Sequence, residues 1–309
     1  MSTRFGILDI GSNTFHFVIV EVNSQKQIRT LFRFRNVLRL GDFHTGSGYL
    51  ISESHISESI EIIRKCQEIA KEFSTEVIAF ATSAVRESLN SEEFRKAIKK
   101  QTGVKIRILE GDEEASLIYR AISRQFRDFP NPLIAIDIGG GSTEVIIGEG
   151  SKILELHSFR LGTVRMKEMF LDDSQSFVDA IPLMQDYIEH TLSNAPRTGI
   201  KSKNMYIATG SSGIIRTIMG VSARINKPLF FSEMQKVTLT DLKSIFEQAL
   251  TCANINELTT KFDLKQTKAD VLISGLLILR DILFYLKIDE IVVSDCGVRE
   301  GVVLELIGE

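Results

Sequence analysis

The chain has 309 residues, 43% hydrophobic and 25% charged, with a net charge of −3. That balance is ordinary for a globular domain and excludes a protein that holds nucleic acid or anionic membrane by bulk positive charge, so any anion site must be built locally. No apolar run reaches the roughly 20 residues of a membrane span, Asp9 breaks the N-terminal apolar stretch where a signal peptide would run on, and Cys66, Cys252 and Cys296 match neither a disulfide framework nor a zinc site. A reduced, cytoplasmic setting is expected, with neither nucleic acid nor membrane as partner.

The first element is the strand Phe5-Gly-Ile-Leu-Asp9-Ile, closed by Gly11-Ser12-Asn13-Thr14 and followed by the apolar return Phe15–Val22. Ile28–Leu40 alternates Phe32, Phe34, Leu38 and Leu40 with Arg33, Arg35, Val37 and Arg39, which predicts a further strand. Its basic face is either a charged sheet edge or a wall beside a phosphate site. Gly41–Gly48 reads as a mobile loop. Ser52 caps a helix with Ile56, Ile60, Ile63, Cys66 and Phe73 at helical spacing. Glu76–Ala81 is a strand ending in Thr82-Ser-Ala-Val-Arg86. Asn90 and Ser91 with Glu93 suggest a capping box for a helix that Gly103 stops. Val104–Leu109 is a strand, and Glu110-Gly-Asp-Glu113-Glu114-Ala115 opens a helix reaching about Phe126. Pro130 and Pro132 mark the expected domain boundary.

The plan then repeats. Leu133–Asp137-Ile-Gly139-Gly140-Gly141-Ser142-Thr143-Glu144–Ile147 reads as a hairpin around glycines, continuing to Leu156. Helices follow over Val164–Phe170 and Ser176–Ser193. The strand Asn204–Ala208 runs into a third Gly/Ser loop, Thr209-Gly210-Ser211-Ser212-Gly213, ahead of a helix. Lys268–Leu286 is a long apolar helix, either core or interface. Glu290–Ser294 is the last strand, and Asp295-Cys296-Gly297-Val-Arg299-Glu300-Gly301 turns into a C-terminal helix. Strands alternating with helices, twice over, predict an α/β chain with mixed sheets.

The glycine loops lack Cβ atoms, so backbone N–H groups can close on an anion, with Ser12, Thr14, Ser142 and Thr143 adding hydroxyls. The candidate phosphate ligands are therefore Gly11, Ser12, Asn13, Thr14, Gly139, Gly140, Gly141, Ser142, Thr143, Gly210, Ser211 and Ser212, with Arg86 as a bidentate clamp. Asp9 and Asp137 end their strands and can position a magnesium-bound water or bond their own turns. Glu113, Glu114 and Glu144 are candidate bases. Adjacent helical carboxylates point about 100° apart, so Glu113 and Glu114 cannot both serve one site; acids at a helix start also simply complement its dipole.

The series Asp9–His16, Arg39-Leu-Gly41, Thr82–Arg86, Gly111–Ala115, Asp137–Glu144, Gly210–Gly213 and Ser294–Gly301 resembles the exopolyphosphatase/guanosine pentaphosphate phosphatase (Ppx/GppA) family over almost the whole chain. The resemblance implies two ribonuclease-H-like lobes of the actin-like ATPase superfamily with an interlobe cleft: lobe I over residues 1–130, lobe II over 131–298, and the helix of 299–309 returning to lobe I. It implies Glu114 as catalytic base, Arg86 as phosphate contact, and Asp137, Gly139, Ser142 and Glu144 as the second phosphate loop with its water- and metal-positioning residues; Asp9, Asp137 and Glu144 are the expected holders of Mg²⁺ or Mn²⁺. The expected activity is release of terminal phosphate from polyphosphate or from guanosine pentaphosphate (pppGpp). A kinase or ATPase of the same superfamily and a non-catalytic sensor are the rival classes, and a homodimer is among the oligomeric states left open. Longer family members carry extra helical domains after the point where this chain stops.

Overall fold

The computed structural model describes residues 2–41, 48–129, 132–171, 177–195, 206–225 and 235–309. The chain divides into two compact units, Met1–Glu114 with Val302–Glu309, and Ala115–Gly301.

The first unit opens with β1 (Thr3–Ile10), β2 (Thr14–Val22) and β3 (Ile28–Val37), followed by α1 (Glu53–Glu72), β4 (Val77–Ala81), α2 (Ser83–Arg86), α3 (Ser91–Thr102), β5 (Ile106–Ile108) and the start of α4 (Gly111–Gln125). Its five strands lie in the order β3-β2-β1-β4-β5. The first three pair antiparallel, whereas β4 and β5 join in parallel. Helix α1 begins where Ser52 accepts from the His55 N–H, and it buries Ile62, Ile63, Cys66 and Ala70. It lies against the Phe32/Phe34 face of β3: Phe73, at its C-cap, meets Phe32 at a tilt with centroids 5.9 Å apart, and Lys65 lies 4.9 Å over the Phe34 ring. Burial pushes the Cys66 thiol up to about 12, so it is a small core hydrophobe without nucleophilic character.

The second unit contains β6 (Leu133–Ile138), β7 (Thr143–Glu149), β8 (Lys152–Phe159), α5 (Thr163–Phe170), α6 (Phe177–Ser193), β9 (Ile207–Ser211), α7 (Gly213–Ile225), β10 (Lys236–Thr238), α8 (Leu239–Ala249), α9 (Ile255–Phe262), α10 (Gln266–Ala269), α11 (Leu272–Leu286), β11 (Glu290–Val293) and the start of α12 (Val298–Leu306). Its six strands run β10-β11-β9-β6-β7-β8. Again three antiparallel strands are extended by parallel ones, β9 beside β6 and β11 beside β9, so the hairpin duplication read in the sequence is a duplication of the whole sheet. Ala115, Ile118, Tyr119, Ile122 and Phe126 of α4 pack on Leu133, Ala135 and Ile146. Two backbones cross closely there: a Cβ on Gly301 would lie 2.0 Å from the Leu117 carbonyl oxygen, so only glycine fits.

Several expectations are corrected. Asn90 makes no side-chain cap. Its amide instead clasps the Ile51 backbone, accepting from N–H and donating to C=O at 2.9 Å each. Gly103 does end α3 in the left-handed region, at φ 75°. The helix expected over Lys268–Leu286 is broken between α10 and α11 at Asp270 and Val271. Helix α11 is apolar because nearly all of it is core: Leu272–Leu279, Ile282, Leu283 and Leu286 are buried. The strand expected from Asn204 begins at Ile207, with residues 201–205 outside those described, as are residues 42–47 of the loop read over Gly41–Gly48. Among the described residues no helix is long and apolar enough to cross a membrane.

Candidate active site

In the first unit the turn Gly11–Thr14 closes with the Gly11 N–H donating to the Thr14 carbonyl at 3.1 Å. A Cβ on Gly11 would stand 3.2 Å from that oxygen. The loop is tied on two sides. The Ser12 hydroxyl meets the Ser83 hydroxyl at 3.0 Å, and the Ser12 carbonyl accepts from the Leu40 N–H at 3.1 Å. Among the described residues the N–H groups of Ser12 and Asn13 have no protein acceptor, which suits them to an anion.

Beside this turn α2 carries Arg86, and the start of α4 carries Glu114. Arg86 Nη1 donates to the Leu109 carbonyl at 2.6 Å and to Glu114 Oε2 at 3.2 Å. The pair is largely shielded, its side chains 15% and 10% exposed. Glu113 turns the other way, as the helical rotation requires, and takes the exposed Arg107 guanidinium, which also holds Glu305. The two adjacent acids are thereby separated into an outward ion-pair partner and a sheltered carboxylate.

In the second unit the turn is copied: the Gly139 N–H donates to the Ser142 carbonyl at 2.8 Å. Strand register places Ser211, Asp137, Glu144 and Ser158 in one row across β9, β6, β7 and β8. Directly opposed residues share a sheet face, so the row presents two carboxylates flanked by two hydroxyls. Ser211 Oγ donates to Asp137 Oδ2 at 2.5 Å, and Ser158 Oγ donates to Glu144 Oε1 at 2.8 Å. Burial pushes the Asp137 carboxyl above its ordinary range, against the Ser211 hydrogen bond and the nearby Arg216 and Arg299 charges. A half-buried carboxylate held in this way is the donor type a hard divalent cation takes, and the cation would relieve its desolvation. Asp9 occupies the equivalent position in the first unit, with His16 opposite it where Glu144 stands in the second. Among the described residues no three His, Cys, Asp or Glu side chains cluster as a metal set; Mg²⁺ commonly takes one or two carboxylates and completes its shell with water and phosphate oxygens.

The carbonyls of the second glycine turn are held from behind by the start of α5. The Thr163, Val164 and Arg165 N–H groups donate to the Gly139 and Gly140 carbonyls at 2.9–3.0 Å. This leaves the Gly140 and Gly141 N–H groups, which have no acceptor among the described residues. Arg165, only 3% exposed, donates from Nε to the Gly141 carbonyl at 2.8 Å. No motif in the sequence pointed to Arg165; its signal was a cation one helical turn past Leu161-Gly162, legible only once α5 is known to abut the loop. The close approach depends on Gly162, where a Cβ would fall 2.3 Å from the Gly140 oxygen. Gly162→Ala is expected to displace the turn, lowering stability by about 1–3 kcal/mol and phosphate affinity further, as read by thermal melts and phosphate titration.

Four predicted ligands have other work. The Thr143 hydroxyl is buried and donates to the Leu161 carbonyl. The supposed third loop is strand through Ser211, where Gly210 makes room for Ile291 and Ile215. Ser211 is spent on Asp137, and the Ser212 hydroxyl accepts from the Ile215 N–H at 3.3 Å. Burial and the neighbouring Glu300 and Asp295 push the Cys296 thiol up to about 11, which removes it as a nucleophile.

A family model described as "Ppx/GppA phosphatase family" matches residues 18–309. The chain belongs to the Ppx/GppA phosphatase family. This Ppx/GppA chain is 30% identical over 313 residues to the bifunctional 3-dehydroquinate synthase/phosphatase of Fusobacterium nucleatum, a match covering 96% of this chain and 46% of that protein. It therefore spans about half the length of that relative. It is 27% identical over 306 residues to Exopolyphosphatase 1 of Mycobacterium tuberculosis, covering 97% of this chain and 87% of that one. Among solved structures, the exopolyphosphatase of Cytophaga hutchinsonii superposes with a TM-score of 0.84 at 25% identity, over 99% and 98% of the two chains. The Aquifex aeolicus Ppx/GppA family member does so at 0.78 and 25%, over 100% and 99%. The mixed α/β fold of two actin-like units expected from the resemblance is the fold these proteins share.

Proposed function

We propose that this Ppx/GppA phosphatase, a hydrolase of phosphoanhydride bonds by family, releases the terminal phosphate of inorganic polyphosphate by attack of water that Glu114 deprotonates. The observation that carries this reading is the sheltered Glu114 carboxylate, fixed by Arg86 at 3.2 Å while its neighbour Glu113 is drawn away. Water adds to the terminal phosphorus, its proton passes to Glu114, and the bridging P–O bond breaks. Orthophosphate and a chain shorter by one unit leave. In the first unit the N–H groups of Ser12 and Asn13, together with Arg86, supply donors for the equatorial oxygens, the main demand of phosphoryl transfer; the N–H groups of Gly140 and Gly141 are the corresponding donors of the second unit. Asp137 and Glu144 are the residues of the second unit that would hold Mg²⁺ or Mn²⁺, and Asp9 is the corresponding acid of the first unit. The ion would neutralise charge on the transferring phosphoryl group.

The test is phosphate release from tripolyphosphate, longer polyphosphates and pppGpp side by side, with Mg²⁺ and without any acceptor. Faster turnover of polyphosphate than of pppGpp is expected. A preference for pppGpp would overturn the substrate assignment, and release only in the presence of an acceptor or nucleotide would point to the kinase or ATPase class.

A further inference from the structure

We infer that Arg33, Arg35 and Arg39 form a subsite for the phosphates upstream of the scissile group, so that this face of β3 reads the length of the polyanion; the inference rests on polyphosphate being the substrate proposed above. Strand alternation puts Arg33 and Arg35 on one face of β3. Register then places Arg35 opposite His16, which is opposite Asp9, so the arginines share the face of the first unit's strand-end aspartate. Arg35 Nη2 donates to Thr14 Oγ1 and Arg39 Nε to Asn13 Oδ1, both at 3.3 Å. Two guanidiniums are thereby anchored on the side chains of the phosphate turn.

Arg33 stands one alternate position further from the turn, opposite Val18. It is exposed, and no hydrogen bond or ion pair engages it among the described residues. The step from Arg35 to Arg33 is about 6.6–6.8 Å along the strand, more than one phosphate unit, so the side chains meet successive parts of a chain leading away from Asn13 and Thr14. Charge on an edge strand also discourages pairing with another sheet. That account requires no donors directed at the turn and leaves the bonds to Thr14 and Asn13 unexplained. A short substrate would end before Arg33, whereas a long one would gain from it, which is the signature of length selection.

The experiment compares wild type, Arg33→Gln and Arg33→Lys in KM for polyphosphates of increasing length, and in direct titration with long polyphosphate without Mg²⁺. Expected for Arg33→Gln is an affinity for long chains weakened about three- to tenfold relative to that for tripolyphosphate, more so at low salt. Arg33→Lys should recover most of it. An unchanged long-to-short ratio in Arg33→Gln, in both KM and titration, would overturn the subsite. Absence of phosphate release from every polyphosphate by the wild type would instead overturn the substrate reading. The metal-free titration still decides whether Arg33 meets the chain in that case.

Discussion

Replacing Glu114 by glutamine is expected to lower phosphate release by about 10²- to 10⁴-fold with little change in KM, because an amide cannot accept the proton of the attacking water. Arg86 keeps its bond to the Leu109 carbonyl and a neutral acceptor in the amide. The chain therefore remains folded, although a lower Tm is expected because a shielded guanidinium loses its counter-charge. Glu114→Asp separates the two roles. It retains the negative charge for Arg86 but withdraws the carboxylate by one methylene, and its turnover should also fall steeply, since proton transfer needs hydrogen-bond reach. Near-normal turnover in Glu114→Gln, with circular dichroism confirming the fold, would show that another group takes the proton.

Asp137→Asn is expected to trade activity for stability. A carboxyl whose proton is bound more tightly in the folded than in the unfolded chain supports the fold below the unfolded pKa of about 3.9 and loses that support as pH rises through the folded value. Asp137 is such a group, raised chiefly by burial, so its ionised form opposes folding at neutral pH. Asparagine keeps an oxygen for the Ser211 hydroxyl and removes the half-buried charge. A gain of about 0.5–2 kcal/mol is expected near pH 7, read as a higher Tm and shrinking toward zero as pH falls to about 4. Mg²⁺ should raise the Tm of the wild type alone, and phosphate release should be lost in the variant. A lower Tm for Asp137→Asn at pH 7 without metal would refute the burial argument, and equal Mg²⁺ stabilisation of both proteins would refute the ligand assignment.

Much of the fold was legible in local pattern. The hairpins around Gly11–Thr14 and Gly139–Ser142 follow from alternating apolar residues interrupted by glycine, and both close with the same N–H to carbonyl bond. Ser52 and Gly103 act as helix start and stop because capping is decided by the adjacent backbone. Where a side chain had a competing partner far away in sequence, local reading failed. Asn90 had the chemistry of an N-cap and was taken by Ile51. Gly210 and Ser211 had the composition of an anion loop and belong to a strand, because β9 has β6 and β11 beside it to complete its hydrogen bonds.

The candidate site shows the same split. The chain order of residues establishes the two glycine turns, the acids that end their strands, and the helical rotation that forbids Glu113 and Glu114 a common direction. Which acid is sheltered was decided by Arg86 and Arg107, residues brought to α4 from α2 and β5. Likewise Ser211 and Ser158 reach Asp137 and Glu144 only through strand register, and Arg165 reaches Gly141 only because Gly162 lets two backbones touch. Periodicity, caps and turns are short-range and are written in neighbouring residues. Burial of a charge and choice of its partner depend on groups tens of residues apart, and those distances exist only in the folded chain.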